Sequence, residues 1–167
     1  DRNLSETIDL VRLQLGLQAG SAPVDINQVV VTITDGSQTN TLRYIDSNDI
    51  VSDDYTKNIE TIMGDNGSER FAVNDIRDED DSFTQDNPVM NTGDLINMYI
   101  ATASKKGAEY NMSIDGVKDG NLSDTELNLE PRTRVEIVLT PEAGALSQAT
   151  FVTPSTYGVT DIVKLYP

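Results

Sequence analysis

Gln28-Val29-Val30-Val31-Thr32-Ile33-Thr34, closed by Asp35-Gly36, is the stretch that decides the fold. Its β-branched side chains are stiff at χ1 and pack well on a pleated surface, so they favour a strand. Asp-Gly supplies the positive-φ positions that a tight hairpin turn needs. Thr41-Leu42-Arg43-Tyr44-Ile45 then returns as the hairpin partner. Outward from this pair the same period recurs. Val11, Leu13, Leu15 and Leu17 alternate with Arg12, Gln14, Gly16 and Gln18, as expected of a strand with one buried face. Val135, Ile137 and Leu139 alternate with Arg134, Glu136 and Val138. Arg70 to Val73 reads as a short strand. Leu95 to Ala101 is apolar on both sides and suits a central strand covered on both faces. Phe151-Val152 and Asp161 to Tyr166 are further strand candidates.

Turn chemistry is dense between these runs: Gly64-Asp65-Asn66-Gly67, Asn91-Thr92-Gly93-Asp94, Asp115-Gly116 and Asp119-Gly120. Pro131, Pro141 and Pro154 interrupt the last third. Many short strands separated by turns predict an all-β fold, an antiparallel sandwich or barrel with at most one or two short helices. Residues 55–63 form one short helix or a strand. Residues 1–9 are expected to be helical, the remnant of a longer helix or a linker, and residues 10–167 a single β domain. The opening Asp1-Arg2-Asn3-Leu4 lacks an initiator Met and a basic leader, which suggests a cut fragment or a mature chain.

The 167 residues carry 12 Lys and Arg against 28 Asp and Glu, a net charge of −16. Nucleic-acid binding rests on neutralising phosphates with Lys and Arg, so a polyanionic partner is excluded. With no Cys and no His, thiol nucleophiles, imidazole bases, disulfides and His- or Cys-based zinc and copper sites are excluded too. The longest aliphatic run, Val29-Val30-Val31, is far short of the roughly 18 apolar residues of a membrane span.

Carboxylates are the remaining chemistry. Asp78, Glu79, Asp80 and Asp81 place four in succession, and hard oxygen ligands suit Ca²⁺ or Mg²⁺. Asp78, Asp80 and Asp81 are the candidate ligands, against the plainer reading of an exposed acidic loop. Asp115 to Glu126 matches part of a calcium-loop spacing through Asp115, Asp119, Gly120, Ser123 and Glu126, but Val117 stands where a ligand is needed. Two consecutive Asp-Gly turns explain it better. Asn3, Asn66, Asn111 and Asn121 each begin an Asn-X-Ser acceptor for N-linked glycan. A glycosidase would need two suitably spaced carboxylates, which an acidic chain supplies by accident, and the few aromatics give poor support for sugar stacking. No Gly-Lys-Ser/Thr phosphate loop occurs.

Four segments, in order, resemble the archaeal flagellins, or archaellins. Gly20-Ser21-Ala22-Pro23-Val24-Asp25-Ile26 follows the first strand. Asp78-Glu79-Asp80-Asp81-Ser82 leads to Pro88-Val89-Met90-Asn91-Thr92-Gly93-Asp94. Leu139-Thr140-Pro141-Glu142-Ala143-Gly144-Ala145 leads to Thr153-Pro154, and Val163-Lys164-Leu165-Tyr166-Pro167 ends the chain. The resemblance implies an immunoglobulin-like β-sandwich on the outside of a helical filament, extracellular and built from copies of the chain or its paralogues. It implies swimming motility and surface adhesion, often N-glycosylation, no catalysis and no organic cofactor. The hydrophobic helix that begins an archaellin is the one departure. Membrane contact would come only through that helix before assembly. The competing expectation is a cell-surface β-sandwich that binds sugar or a protein partner with the help of Ca²⁺.

Overall fold

A computed structural model describes residues 6–45, 51–104, 122–144, 146–159 and 162–165. Among these residues it is all-β with one short α-helix, as the period-two pattern leads one to expect. Seven strands hydrogen-bond in one continuous order. They are β1 (Leu10–Gly16), β3 (Val30–Thr34), β4 (Thr39–Tyr44), β5 (Arg70–Arg77), β7 (Leu95–Ala101), β8 (Arg134–Thr140) and β9 (Ser147–Val152). The order across the sheet is β1-β7-β5-β4-β3-β8-β9. β2 (Val24–Asp25) and β6 (Val89–Met90) form a separate two-residue ladder.

The deciding hairpin forms as expected. Val30 pairs with Arg43 and Thr34 with Thr39, and the intervening turn is organised by Asp35. Its Oδ1 accepts the backbone N–H groups of Ser37 and Gln38, each at 2.8 Å. Its Oδ2 accepts the N–H of Asn128 at 2.8 Å. Burial pushes the Asp35 carboxyl up, but these backbone donors outweigh it and hold the group below its ordinary value. Gly36 takes φ +93°, a conformation that costs glycine nothing.

The half-sheets β1-β7-β5 and β4-β3-β8-β9 are each antiparallel. They are joined by a short parallel ladder, Arg43 with Arg70 and Tyr44 with Phe71. The result is a half-barrel rather than two separate sheets. Parallel neighbours need a crossover of a dozen or more residues, usually helical. Here the crossover contains α1 (Tyr55–Thr61), which runs into a π-type turn at Ile62–Asn66. The sequence left 55–63 open between helix and strand. Asp54 decides it by capping the helix, its carboxylate accepting the Thr56 N–H at 3.0 Å. Ile59, Ile62 and Met63, at helical spacing, turn inward and are buried. The crossover approaches β7 so closely that a Cβ on Gly67 would lie 2.5 Å from the Ile62 carbonyl oxygen and 2.8 Å from Ala101 Cβ.

One core fills the half-barrel, with Val31, Ile33, Leu42, Phe71, Ile96, Met98 and Ile137 among its buried members. β7 lies between β1 and β5, and Tyr99 on its second face stacks on Tyr55 of α1 with ring centroids 6.4 Å apart. That is the two-sided cover its composition predicts. Two expectations are corrected. Residues 6–9, the described part of the 1–9 segment, are irregular and not helical: the Ile8 N–H donates to the Leu129 carbonyl, and the Ile8 and Asp9 carbonyls accept from the Thr102 hydroxyl and N–H. Residues 162–165 are not in a strand, having no ladder partner among the described residues.

Candidate cation site at the open end of the sheet

β5 and β7 pair antiparallel, with Asp75 opposite Ile96 and Arg77 opposite Leu95. The register slips by one residue between these pairs, a β-bulge centred on Ile76. Bulges re-aim side chains at sheet ends. Continuing the shifted register one step sets Asp78 opposite Asp94. Without the slip, Asp78 would oppose Gly93. One carboxylate oxygen from each of Asp78, Asp80 and Asp94 lies within 4.8 Å of the others.

Each carboxylate is held by its own donors. Asp94 is buried, and its Oδ2 accepts the Asn91 N–H at 2.7 Å. Asp78 Oδ2 accepts the Phe83 N–H at 2.8 Å, and Oδ1 the Ser82 N–H at 3.3 Å. Asp80, exposed, accepts the Ser82 N–H at 3.2 Å and the Asn91 side-chain amide at 3.0 Å. The Ser82 side chain, then Asp78, then the Ser82 backbone and Asn91 keep the Asp80 carboxyl below its ordinary value. Three anions therefore converge, one of them shielded from water. A hard dication takes oxygen ligands of this kind and would relieve their repulsion.

The sequence named Asp78, Asp80 and Asp81. The structure brings the first two together and supplies Asp94 from the far loop. Asp81 is not in the group. It is exposed with φ +52°, a left-handed conformation that Asp tolerates better than most residues, and it serves the reversal of the loop. Asp94 was within the quoted Asn91–Asp94 turn but had no period or spacing to mark it. The signal lay in pairing the ends of the Arg70 and Leu95 strands. Glu79 is exposed, and its carboxylate lies near the tight turn at Gly93.

Of the other candidates, Asn66 is half-buried in the π-type turn, where its carbonyl accepts the Glu69 N–H at 3.1 Å. Asn3, Asn111 and Asn121 lie outside the described residues, as do Asp115, Val117, Asp119 and Gly120 of the calcium-loop pattern. Its described members bind their own chain. Ser123 donates its hydroxyl to the Gly64 carbonyl, and the Glu126 carboxylate accepts from the Gln38 side-chain amide at 3.3 Å.

Behind the acidic loop is a buried polar hub that sequence reading missed. The Gln85 carbonyl and side-chain oxygens each accept from the Tyr44 hydroxyl at 2.9 Å. Its side-chain oxygen also accepts from Asn58 at 3.1 Å, and its amide donates to the Val73 carbonyl at 3.0 Å. One side chain so ties the loop to β4, α1 and β5. Burial, then the nearby Asp86 charge, raises the Tyr44 phenol well above its usual range.

An acidic half-barrel with carboxylate-rich loops at its sheet end is the class of domain these observations define. Residues 1–151 match the archaeal-type flagellin family. Flagellin B2 of Methanocaldococcus jannaschii is 30% identical over 156 residues, an alignment covering 92% of this chain and 62% of that protein. The chain thus spans less than two-thirds of that relative's length. The crystal structure of archaeal flagellin FlaB1 from Methanocaldococcus jannaschii superposes with a TM-score of 0.63 at 22% identity, over 91% of this chain and 82% of the other. That likeness shows the fold. The chain belongs to the archaeal-type flagellin family, whose members are structural filament proteins and not enzymes.

Proposed function

We propose that this chain is the outer domain of a subunit of an archaeal cell-surface filament, extracellular, self-assembling, and serving swimming motility and surface adhesion. The family match over residues 1–151 carries this reading. The period-two core builds a compact body, while the assignment of polymerisation falls to the hydrophobic helix that archaellins carry before the first strand. A head-to-tail contact that does not close generates a filament, and the partners are then further copies or paralogues. Each copy's charge of −16 repels its neighbours, so assembly is expected to depend on ionic strength. Immunogold labelling of whole cells with antibody against this chain tests the reading. Decoration along filaments that vanish, with swimming, on gene deletion supports it. Label confined to the cell body, with filaments intact after deletion, refutes it.

Within this reading, Asp78, Asp80 and Asp94 hold Ca²⁺ or Mg²⁺ between the two loops, and Asp81 stays in solvent. The cation lowers the local charge and clamps the loops. Asn66 carries N-linked glycan on the surface turn. Mass spectrometry of the tryptic peptide Asn58–Arg70 from native filaments decides that point, since an unmodified peptide alone would refute it.

A further inference from the structure

Alternate residues of β4, β3, β8 and β9 point away from the core and form one open face. On β4, Thr39, Thr41 and Arg43 are exposed while Asn40, Leu42 and Tyr44 are buried. On β3, Val30, Thr32 and Thr34 are half-buried between neighbouring strands, and Val31 and Ile33 face inward. β8 adds Arg134, Glu136, Val138 and Thr140, and β9 adds Gln148, Thr150 and Val152. The register aligns them in rows. Thr41, Thr32, Val138 and Gln148 form one row, and Thr39, Thr34, Glu136 and Thr150 the next.

The charge on this face is the reverse of the molecule's. Two guanidiniums, Arg43 and Arg134, stand against one carboxylate, Glu136, so 2 − 1 leaves one positive charge on a chain of net −16. The acid-poor character continues past β9. From Ala143 to Thr160 the sequence has no charged residue, and Val152 is 60% exposed and Leu146 64%. A face of threonine and valine is cheap to desolvate, because hydroxyls re-pair readily and the methyls gain from burial. Elsewhere two copies meet with like charges. Here an acidic surface meets a weakly positive, acid-poor one, which favours approach and register.

We propose that this open face is an assembly surface that seats the acidic loop Asp78–Asp81 of a second copy. The inference rests on the filament reading and adds to it which surface meets which. A single surplus charge is too little for a polyanion, whereas this short loop stays negative even with a dication on Asp78 and Asp80, because Glu79 and Asp81 lie outside that group. The two surfaces differ, so the contact is heterologous and propagates along a polymer instead of closing a dimer.

The absence of cysteine in this chain makes cross-linking selective. Full-length subunits carrying T41C, E79C or both are assembled in cells, and sheared filaments are treated with a short bismaleimide. The double variant is expected to give a ladder of multimers on a denaturing gel, while each single variant stays monomeric. Adding R43E and R134E to the double variant is expected to abolish most of the ladder. T39C with D81C asks the same question should the first pair fail to assemble. A double variant that cross-links no more than E79C alone overturns the proposal. So do dimers from T41C alone, which would mean that the face meets itself. Absence of filaments from the wild-type subunit would instead refute the filament reading itself.

Discussion

Asp78 and Asp94 flank the last β5–β7 pair, Arg77 with Leu95, and bring carboxylate oxygens within 4.8 Å of each other just past the bulge at Ile76. Their convergence with Asp80 predicts a measurable linkage between cation and stability. Ligand that binds only the folded state stabilises by about 2.7 kcal/mol at a hundredfold excess over Kd. Ca²⁺ is therefore expected to raise the melting temperature of this chain, and EDTA to reverse the rise. Asp94→Asn keeps an oxygen to accept the Asn91 N–H but loses the buried charge, so it should fold and lose the Ca²⁺ response. Differential scanning calorimetry with and without Ca²⁺ reads both outcomes. An equal shift in the variant would remove the site.

Deleting Ile76 tests the pairing without touching a carboxylate. Removal of the bulged residue makes Asp75 and Arg77 consecutive opposite Ile96 and Leu95, so Asp78 stays beside Asp94. The expected result is a folded protein that keeps its Ca²⁺ response by calorimetry, and a lost response would contradict the pairing described. Substitution by Val at the same position leaves the register alone and should change nothing.

Gln85→Leu should be costly although the shape is nearly kept. It takes one partner each from the Tyr44 hydroxyl, the Asn58 amide and the Val73 carbonyl in the interior, and the Asn58 amide keeps its bond to the Ser52 carbonyl. Each unsatisfied buried group costs about 1–3 kcal/mol, and the residual Tyr44 bond to the Gln85 carbonyl spares part of the loss. A loss of roughly 2–4 kcal/mol by urea unfolding is expected. A variant as stable as the parent would show that the hub is not tied as described.

Gly67→Ala tests the close approach of the crossover to β7. The added methyl meets the Ile62 carbonyl and Ala101, and neither can move without shifting backbone. Overpacking of this kind costs about 1–3 kcal/mol. Gly36→Ala meets no atom within 4 Å and is strained only by its φ of +93°, so the comparison separates crowding from backbone conformation.

Asp9 supplies a pH signature. Burial raises its carboxyl from 3.8 to about 6, with a hydrogen bond from Thr7 acting the other way. Between the unfolded and folded values the native state binds more protons than the unfolded chain. This group's contribution therefore falls as pH rises from about 4 to 6. Asp9→Asn should flatten that part of the stability profile and gain most above pH 6. Melting temperatures recorded across this range, wild type against variant, decide it.

The strands were legible where alternation is long enough to carry a period. β1 and β8 show it, while β3 was marked by its β-branched run, β7 by apolar composition on both faces, and β4 by its place after the Asp35-Gly36 turn. β2 and β6, at two residues each, have no period to read. The parallel β4–β5 contact was hidden for another reason. It depends on where a crossover of mixed composition lands, and only the Asp54 cap and the contact at Gly67 decide that. The candidate site was half legible. Asp78 and Asp80 announce themselves as a run, whereas Asp94 arrives through a one-residue register slip that no local pattern encodes. The positive face was equally hidden, because it exists only once β4, β3, β8 and β9 are laid side by side.

Electron cryo-microscopy of the cell-surface filaments, taken to side-chain detail, tests the central claim most directly. The account predicts a helical array whose outer layer repeats this seven-stranded half-barrel, joined at its β1 end to a central bundle of apolar helices. An outer layer that cannot accommodate the β1-β7-β5-β4-β3-β8-β9 sheet, or a filament lacking this chain, would contradict it.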